Sequence, residues 1–478
     1  MNVLAIDQGT SATKALLLCP ERGLLGAGSA PVHPRAVDDG GVEQDPLELL
    51  DSVLLAGRQA LAAAGERAGA IGFANQGETV LRWDRADGTP LSPALSWQDR
   101  RAVDVCDRLI GSAAADTLTA LTGLPLDPYF AAPKMAWLLE HGRTEGVATT
   151  TDSWLLHQLT GCFVTDAATA SRTLLLDLDA TEWSDEACAA FGVDRAGLPS
   201  IVDCAGTVGT TSAFGGEVPV TGLAVDQQAA LFAQACFAPG DAKCTYGTGA
   251  FLLATTGPSA VRSTAGLSAS VAWRLDGSPT YCLDGQAYTA GAAVGWLADV
   301  GLLASADDLD RLGGSVGDTG GVVFVPGLAG MGAPHWRPSA RGAFTGLSLG
   351  VTREHLVRAV VEGLAAQVAV LAAAVAADLG RPLQCLRVDG GLTRSRLLMQ
   401  LQADLLQVPV ERHASADATA LGVAALARLG SGEASSPADA VGPVRPAERV
   451  EPRIGADEAA ERLARYEAAV AATAGLTT

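Results

Sequence analysis

The sequence predicts an α/β protein with two large domains, and three observations support this. Apolar segments with strand character alternate with longer segments of helical periodicity. The chain has 478 residues, whereas a domain usually holds roughly 100–200. A strand–turn–strand pattern rich in glycine and hydroxyl side chains occurs near the start and again near the middle, which suggests a duplicated architecture.

The first of these patterns joins two short apolar strands at the N-terminus. Val3 to Ile6 leads into Asp7-Gln8-Gly9-Thr10-Ser11-Ala12-Thr13-Lys14, and Ala15 to Leu18 follows. Gly9 permits a tight turn, whose successive amides can bind an anion. Lys14 can add a positive charge to a phosphate, and Asp7 can hold Mg²⁺ through water. Taken alone, the motif is better explained as an ordinary hairpin with polar turn residues.

The second pattern repeats this arrangement. Ala242 to Cys244 leads into Thr245-Tyr246-Gly247-Thr248-Gly249, and Ala250 to Ala254 follows. One copy is weak evidence of function. Two copies at equivalent points of two halves predict hairpins that hold one triphosphate from opposite sides. Phosphoryl transfer depends mainly on such positioning and on charge stabilisation.

Asp226 lies where a predicted strand, which includes Val218 to Val220, changes to a predicted helix over Gln227 to Ala235. A helix N-cap is the simpler role for an arbitrary aspartate at a helix start. Asp226, however, precedes the second hairpin by about 20 residues and lies near the expected cleft between the domains. A carboxylate in that place can accept the proton of an attacking hydroxyl group.

A third group of residues is suited to binding hydroxyl groups. Gln76, Glu78 and Tyr129 can form hydrogen bonds with a polyol, and Trp97 can cover its C–H face. The alternative is that the two aromatic residues are simply half-buried side chains.

The later part of the chain continues the strand and helix alternation. A strand over Leu386 to Asp389 ends in Gly390-Gly391 and precedes a helix from about Arg394 to Leu406, so backbone amides at that helix start can bind an anion or a polar ligand group. The apolar segment from Leu364 to Leu379 predicts a buried helix and is too weak for a membrane span.

The composition changes after Gly430. The segment 431–455 is rich in Ser, Pro, Ala and Gly and predicts a linker, and a helix over about 457–472 closes the chain. We therefore expect an N-terminal domain at 1–222 with the polyol site and the first hairpin. A nucleotide-binding C-terminal domain with the second hairpin is expected at 223–430, and a linker with a helix at 431–478.

The composition excludes several classes of function. The net charge of −20 opposes binding to nucleic acids and anionic membranes. Nine scattered cysteines without a C-x-x-C pair predict reduced thiols, and no H-E-x-x-H zinc motif occurs. No signal peptide pattern precedes the first strand. We expect a cytoplasmic protein that binds a small molecule.

These motifs also match, in order, those of a known family. The sequence resembles the FGGY carbohydrate kinases and is most similar to the glycerol kinases among them. The resemblance covers nearly the whole chain and includes two longer family signatures, Tyr129 to His141 and Gly346 to Glu362. Shorter matching segments are Asp7-Gln8-Gly9-Thr10, Asn75-Gln76-x-Glu78-Thr79, Asp127-Pro128-Tyr129-Phe130, Ala170-Ser171-Arg172-Thr173, Asp226-Gln227-Gln228-Ala229 and Thr245-Tyr246-Gly247-Thr248-Gly249.

The resemblance implies a two-domain actin-like ATPase (ribonuclease H-like) fold with an interdomain cleft that closes during the cycle. It implies MgATP as the phosphoryl donor, Asp226 as the catalytic base, Asp7 and Asp226 near Mg²⁺, and a homo-oligomer, either a dimer or a tetramer. The implied polyol pocket consists of Gln76, Gly77, Glu78, Trp97, Tyr129, Asp226, Gln227 and Phe251. The implied nucleotide site consists of Thr10, Ser11, Ala12, Lys14, Thr248, Gly249, Gly291, Gly295, Gly391 and Ser395.

Two departures from the family pattern affect specificity. Glycerol kinases carry an arginine that bonds glycerol at the position of Gly77, and loss of a charged donor removes roughly 1.5–3 kcal/mol of interaction. The polyol pocket is thereby widened. A glutamine that faces the nucleotide in glycerol kinases is replaced by Gly295, which alters the contact with the base.

The sequence therefore predicts an ATP-dependent kinase for a hydroxyl group of a small polyol, either glycerol or a close analogue. One alternative is a kinase for a C4–C5 polyol or ketose of the erythritol, ribitol or xylulose type. A second is a non-catalytic, actin-like ATP-binding regulatory protein. Retention of Asp7, Asp226 and both hairpins argues against the second alternative, since a binding protein needs no base.

Overall fold

Two large mixed sheets, covered by helices, form the frame of the protein, which confirms the predicted α/β class. The computed structural model describes residues 1–142 and 145–473. In chain order, the part up to Val225 forms β1 (Val3–Gln8), β2 (Ala12–Cys19), β3 (Gly23–Pro31), β4 (Arg35–Val37), β5 (Gly41–Gln44), α1 (Pro46–Ala64), β6 (Ala70–Asn75), β7 (Val80–Trp83), β8 (Ala94–Leu95), α2 (Val103–Leu109), α3 (Ala113–Thr122), α4 (Ala131–His141), β9 (Val147–Thr150), α5 (Thr151–Thr160), β10 (Val164–Asp166), α6 (Ala167–Ala170), β11 (Leu176–Asp177), β12 (Glu182–Trp183), α7 (Asp185–Ala190), β13 (Ser200–Val202), β14 (Ala205–Thr211) and β15 (Val218–Val225).

The remaining part begins with a helix that follows β15 directly. It forms α8 (Asp226–Ala233), β16 (Ala242–Tyr246), β17 (Ala250–Gly257), β18 (Ser268–Leu275), β19 (Ser278–Ala287), α9 (Gly291–Asp299), α10 (Leu309–Gly313), β20 (Val323–Val325), β21 (Ala343–Thr345), α11 (Arg353–Leu379), β22 (Leu386–Asp389), α12 (Arg396–Leu406), β23 (Val410–Arg412), α13 (Ala418–Gly430), α14 (Pro437–Val441), β24 (Glu448–Val450) and α15 (Ala456–Thr473).

The first large sheet has six strands in the order β14-β15-β6-β1-β2-β3. Its central strand β1 is antiparallel to β2 and parallel to β6, and β15 runs parallel to β6. The carboxyl ends of β1, β6 and β15 therefore meet at one edge. Asp7, Asn75 and Val225 lie at these ends, which brings the first hairpin, the Gln76–Glu78 segment and Asp226 close together.

Helix α1 packs on β2 and β3 of this sheet. The Asp45 side chain caps its first turn by accepting from the Leu47 amide, and Gly65 ends the helix in the left-handed conformation. The backbones approach so closely that a Cβ atom on Gly28 would lie 2.2 Å from the Ala56 carbonyl oxygen. Glycine is therefore required at this position for the helix to pack on the sheet.

The second large sheet has seven strands in the order β18-β19-β17-β16-β22-β23-β24. The segment predicted as a linker contributes to it, because β24 pairs with β23 and α14 precedes β24. The linker interpretation of 431–455 was incomplete, since short polar segments can add an edge strand without a strong apolar pattern. The predicted boundary near Gly222 falls inside β15.

Helix α11 is the core helix of the later part. It begins at Arg353, eleven residues before the predicted start, because the charged residues of its first turns interrupt the apolar pattern. Among the described residues it is the one helix long and apolar enough to cross a membrane, but 78% of its most apolar window is buried inside the protein. Such burial is typical of the core helix of a globular protein.

Helix α13 joins the two parts of the molecule. In the chain it lies between β23 and β24 of the second sheet, but it packs against β1, β6 and β15 of the first sheet and against α8. Cβ atoms on Gly72 and Gly222 would lie 2.3 Å and 2.4 Å from the α13 backbone, and one on Gly422 would lie 1.8 Å from the Ala229 carbonyl oxygen. These three glycines allow backbone-to-backbone packing on both sides of the helix.

Candidate active site

A cavity of about 200 Å³ is lined by all eight predicted acceptor residues and by part of both hairpins. Its wall contains Thr10, Ser11, Gln76, Gly77, Glu78, Trp97, Tyr129, Arg172, Val225, Asp226, Gln227, Gln228, Thr245, Gly247, Thr248, Gly249, Phe251 and Asp284. Residues from distant parts of the chain thus line one concave site that is accessible to a small ligand.

The two predicted hairpins have the turns that the sequence indicated. In the first, Asp7 pairs with Lys14, and the Gly9 amide donates to the Ala12 carbonyl at 3.1 Å. Ala12 and Lys14 lie at the start of β2 rather than in the cavity wall. The Lys14 ammonium contacts Asp417 at 2.9 Å, so a phosphate would compete with this carboxylate for the lysine.

The second hairpin is supported by the N-terminus of α9. The Gly247 amide donates to the Gly249 carbonyl at 2.9 Å, and the Gly291 amide donates to the Gly247 carbonyl at 2.9 Å. A Cβ atom on Gly291 would lie 2.6 Å from that carbonyl oxygen. This contact supports the turn that carries Thr248, which lines the cavity together with Thr10 and Ser11 of the first hairpin.

Asp226 is the first residue of α8 and not its N-cap, a position that Val225 occupies. Its Oδ1 accepts a hydrogen bond from the Gln227 amide at 2.7 Å. The side chain is half-buried at the cavity wall. Desolvation by the surrounding protein raises the pKa of the Asp226 carboxyl, and the positive charge of Lys243 opposes this increase. A carboxylate with a raised pKa is a stronger base than a free aspartate.

Asp7 lies beside Asp226 at the end of β1. Burial raises the pKa of the Asp7 carboxyl to about 7, and the negative charge of Asp226 adds to this increase. Two carboxylates that repel each other fit a divalent cation, since Mg²⁺ is usually held by one or two carboxylates together with water and substrate phosphates. No cluster of three or more potential metal ligands occurs in the described part of the chain.

Three aromatic rings form the apolar wall. Trp97 makes edge contacts with Tyr129 and Phe251, at centroid distances of 5.9 Å and 6.0 Å. The Trp97 ring nitrogen donates to Thr10 Oγ1 at 2.9 Å, which links the acceptor wall to the first hairpin. Tyr129 is buried, and the loop that carries it is held by the Lys134 ammonium through the carbonyls of 128–130.

A buried ion-pair network forms the polar wall. Arg172 is 3% exposed and contacts Glu78 at 2.7 Å and Asp284 at 2.9 Å. Burial raises the pKa of both carboxyls, and the Arg172 guanidinium opposes that increase. By favouring the ionised form, Arg172 helps both acids to accept hydrogen bonds from hydroxyl groups.

Comparison with known proteins identifies the family. Models described as the N-terminal and the C-terminal domain of the FGGY family of carbohydrate kinases match residues 2–233 and 242–430. The chain belongs to the FGGY family of carbohydrate kinases. This FGGY kinase is 44% identical to a protein named glycerol kinase from Aromatoleum aromaticum, over 98% of each chain. It is also 44% identical to a glycerol kinase from Thermus brockianus, over 91% of this chain and 90% of the other.

Solved structures of the same fold superpose over almost the whole FGGY kinase. Glycerol kinase of Plasmodium falciparum with ADP gives a TM-score of 0.90 at 30% identity and covers 99% and 98% of the two chains. Xylulose kinase of Rhodospirillum rubrum gives 0.87 at 25% identity over 100% of both. The protein is an ATP-dependent carbohydrate kinase with the two-domain α/β fold of the actin-like ATPase type.

A second cavity of about 600 Å³ in this FGGY kinase shares Gly247 and Thr248 with the first. Its wall contains Gly291, Gly391 and Ser395, all predicted at the nucleotide site. The Ser395 hydroxyl contacts Asp310 and accepts from the Leu398 amide, so it caps α12. Gly295 is exposed on α9 and is not part of this wall, although it lies one turn from Gly291.

The sequence does not predict the roles of three charged residues at or behind the site of the FGGY kinase. Arg172 lies in a segment that matches the family, but neither it nor Asp284 or Lys243 has a role predicted from the sequence. Asp284 lies in β19, whose last seven residues are all buried and show no alternation of apolar and polar side chains, so its sequence neighbours do not mark it. The pairing of Arg172 with two acids 94 and 112 residues away has no sequence signal either.

Proposed function

We propose that the enzyme transfers the γ-phosphoryl group of ATP to a hydroxyl group of glycerol or a close polyol analogue, giving the polyol phosphate and ADP. The observation that carries this proposal is the position of Asp226 in one cavity wall with both glycine-rich hairpins. The relatives named glycerol kinase favour glycerol as the reference acceptor.

The side chains of the site have distinct roles in this reaction. Asp226 accepts the proton of the attacking hydroxyl, and Asp7 and Asp226 would hold Mg²⁺. The metal, when bound, neutralises phosphate charge in the transition state. The amides and hydroxyls of the two hairpins hold the triphosphate, and Lys14 joins them after release from Asp417.

The acceptor is oriented by the polar and aromatic walls. Glu78 accepts a hydrogen bond from a hydroxyl, Gln227 donates one, and Trp97 covers the carbon chain. We assign the acceptor groups mainly to 1–222 and the nucleotide groups mainly to 223–430. We also place the enzyme in the cytoplasm as a homo-oligomer, a state that static light scattering measures directly.

A C4–C5 polyol or ketose is the second candidate acceptor. Gly77 lines the cavity, and a Cβ atom there would contact only Val225 Cγ2, at 2.9 Å. No side chain at position 77 therefore limits the length of the acceptor or competes for its hydroxyls. Initial rates of ADP release with glycerol, erythritol, ribitol and xylulose distinguish the two candidates.

The test of the proposed function is Asp226→Asn. Turnover should fall at least about a hundredfold while ATP still binds, because the base is removed and the phosphate-binding hairpins remain. The matched control is Asp152→Asn, since Asp152 is another carboxylate with a raised pKa but lies outside the cavity wall. Undiminished turnover in Asp226→Asn would refute the assignment of the base. ATP binding without turnover of any acceptor by the unmodified protein would instead favour a regulatory ATP-binding role.

A further inference from the structure

Lys243 is a fully buried lysine directly behind the wall of the acceptor cavity, where it contacts the wall residues Gln227 and Thr245. It lies on β16, where its Nζ donates to Gln227 Oε1 at 2.7 Å and to Thr245 Oγ1 at 2.8 Å. No carboxylate lies within 4 Å of this ammonium among the residues that the structure describes. Burying a cation without a contacting carboxylate costs free energy, and the charge of Lys243 also opposes the raised pKa of Asp226, so this lysine acts on two groups of the cavity wall.

The contact with Gln227 determines which way the amide group faces. An ammonium group has three donors and no acceptor, so the carbonyl oxygen of Gln227 must be the atom that faces Lys243. The amide NH₂ group then lies on the other side of the planar amide. Because Gln227 lines the cavity, this orientation presents a hydrogen-bond donor to the acceptor substrate.

Such a donor complements the other polar groups of the cavity. Glu78, Asp226 and Asp284 are acceptors when ionised, and the Trp97 ring nitrogen already donates to Thr10. A hydroxyl whose proton is accepted by one of these acids still has lone pairs that require a donor. The Gln227 NH₂ group supplies one, provided that the amide does not flip.

We propose that Lys243 is a positioning residue that locks the Gln227 amide with its NH₂ group toward the acceptor. The inference rests on the proposed function, since it assigns Gln227 to acceptor binding. It predicts that Lys243 acts on acceptor affinity through Gln227 and leaves the ATP KM unchanged, whereas its effect on the pKa of Asp226 changes the pH dependence of kcat.

The test is a double-mutant cycle with Lys243→Met, Gln227→Ala and the double variant, measuring kcat and the KM values for acceptor and ATP. Each single variant should raise the acceptor KM about tenfold and leave the ATP KM within about twofold. The double variant should be no worse than Gln227→Ala alone. Independent, multiplicative effects on the acceptor KM would overturn the proposal, and so would an equal increase in the ATP KM.

Arg387→Met is the matched control. Arg387 lies opposite Lys243 in the neighbouring strand β22, but its guanidinium contacts the carbonyls of Gln234 and Ala235, away from the cavity wall. This variant removes a cation from the same sheet and should leave the acceptor KM within about twofold of the unmodified enzyme. An increase equal to that of Lys243→Met would show that the lysine has only a structural role.

Gln227→Glu keeps the proposal testable if Lys243→Met does not fold. The glutamate retains an oxygen for Lys243 but presents an oxygen instead of an NH₂ group to the cavity, so the acceptor KM should rise as much as for Gln227→Ala. An unchanged KM would refute the locked orientation. An unmodified enzyme that phosphorylates neither polyols nor ketoses refutes the proposed function and this inference together, whereas normal turnover with multiplicative variants refutes the inference alone.

Discussion

Replacement of Arg172 by methionine tests the buried network that forms the polar wall of the site. Arg172 is 3% exposed and contacts Glu78 and Asp284, which are themselves buried. Methionine preserves much of the side-chain volume but leaves two carboxylates without a cation. The effect on stability should therefore reflect charge more than packing.

The magnitude follows from the two short contacts. At an effective dielectric constant near 20, each pair contributes about 4 kcal/mol of Coulomb energy, or about 8 kcal/mol for the two. The cost of burying the three charges offsets much of this energy. Loss of one partner of a buried ion pair usually costs about 3–5 kcal/mol, and we expect the free energy of unfolding of Arg172→Met to fall by that amount at pH 7.5.

The decrease in unfolding free energy of Arg172→Met should depend on pH, and the pKa shifts of the two acids give the direction. Burial raises the pKa of Glu78 and Asp284 above their unfolded values, and without Arg172 nothing nearby opposes this as strongly. A raised folded pKa means that protons stabilise the folded state, so stability is lost as the pH rises through that pKa. The deficit of Arg172→Met should therefore be smaller at pH 5.5 than at pH 7.5.

Urea unfolding followed by tryptophan fluorescence at the two pH values measures this deficit. Arg195→Met is the control, because the Arg195–Asp185 pair lies on the surface, with side chains 47% and 81% exposed. Its unfolding midpoint should stay close to that of the unmodified protein. Equal midpoints for the two variants, or a deficit that grows as the pH falls, would refute the reasoning.

Three further predictions concern acceptor choice, pH and nucleotide binding. Gly77→Arg should raise kcat/KM for glycerol relative to erythritol by roughly tenfold or more, since a charged donor contributes roughly 1.5–3 kcal/mol. Gly77→Ala is the control for the steric effect on Val225, and an unchanged ratio in Gly77→Arg would contradict the prediction. Burial raises the pKa of Asp152 to about 6, so protonation of this carboxyl stabilises the fold below that pH. Asp152→Asn should flatten the pH dependence of the unfolding free energy between pH 5 and 7, and an unaltered slope would show that Asp152 is not its cause. Asp417→Asn should lower the KM for ATP severalfold because it releases Lys14, whereas a higher KM would show that Lys14 needs its partner.

Local features of the site were predictable from the sequence. The two hairpins follow from apolar strands around glycine-rich turns, and the strand-to-helix change at Asp226 follows from its neighbours. Their functional roles came from the family resemblance, because each motif alone has an ordinary structural explanation. The resemblance also supplied Phe251, which no local pattern distinguishes from other core residues.

Features that depend on long-range contacts were not predictable. Lys14 contacts Asp417, 403 residues away, and Arg172 contacts acids on two other segments. Such pairs have no periodic signal, because they arise only when the sheets are assembled. The strand β24 was missed for a similar reason, since a three-residue edge strand is specified by its partner β23 and not by its own composition.

Helix α13 has a consequence for how such enzymes can be recombined. It lies within the C-terminal family match but covers five strands of the first sheet, with glycines on both sides of the contact. A fragment that ends before Ala418 would expose that sheet face to water. A chimera with a relative's C-terminal half would need side chains in α13 that fit the glycines of the host sheet. Substitutions in these thirteen residues must therefore preserve packing against both parts of the molecule. Exchange of halves between relatives should succeed most often when α13 and the N-terminal half come from the same protein.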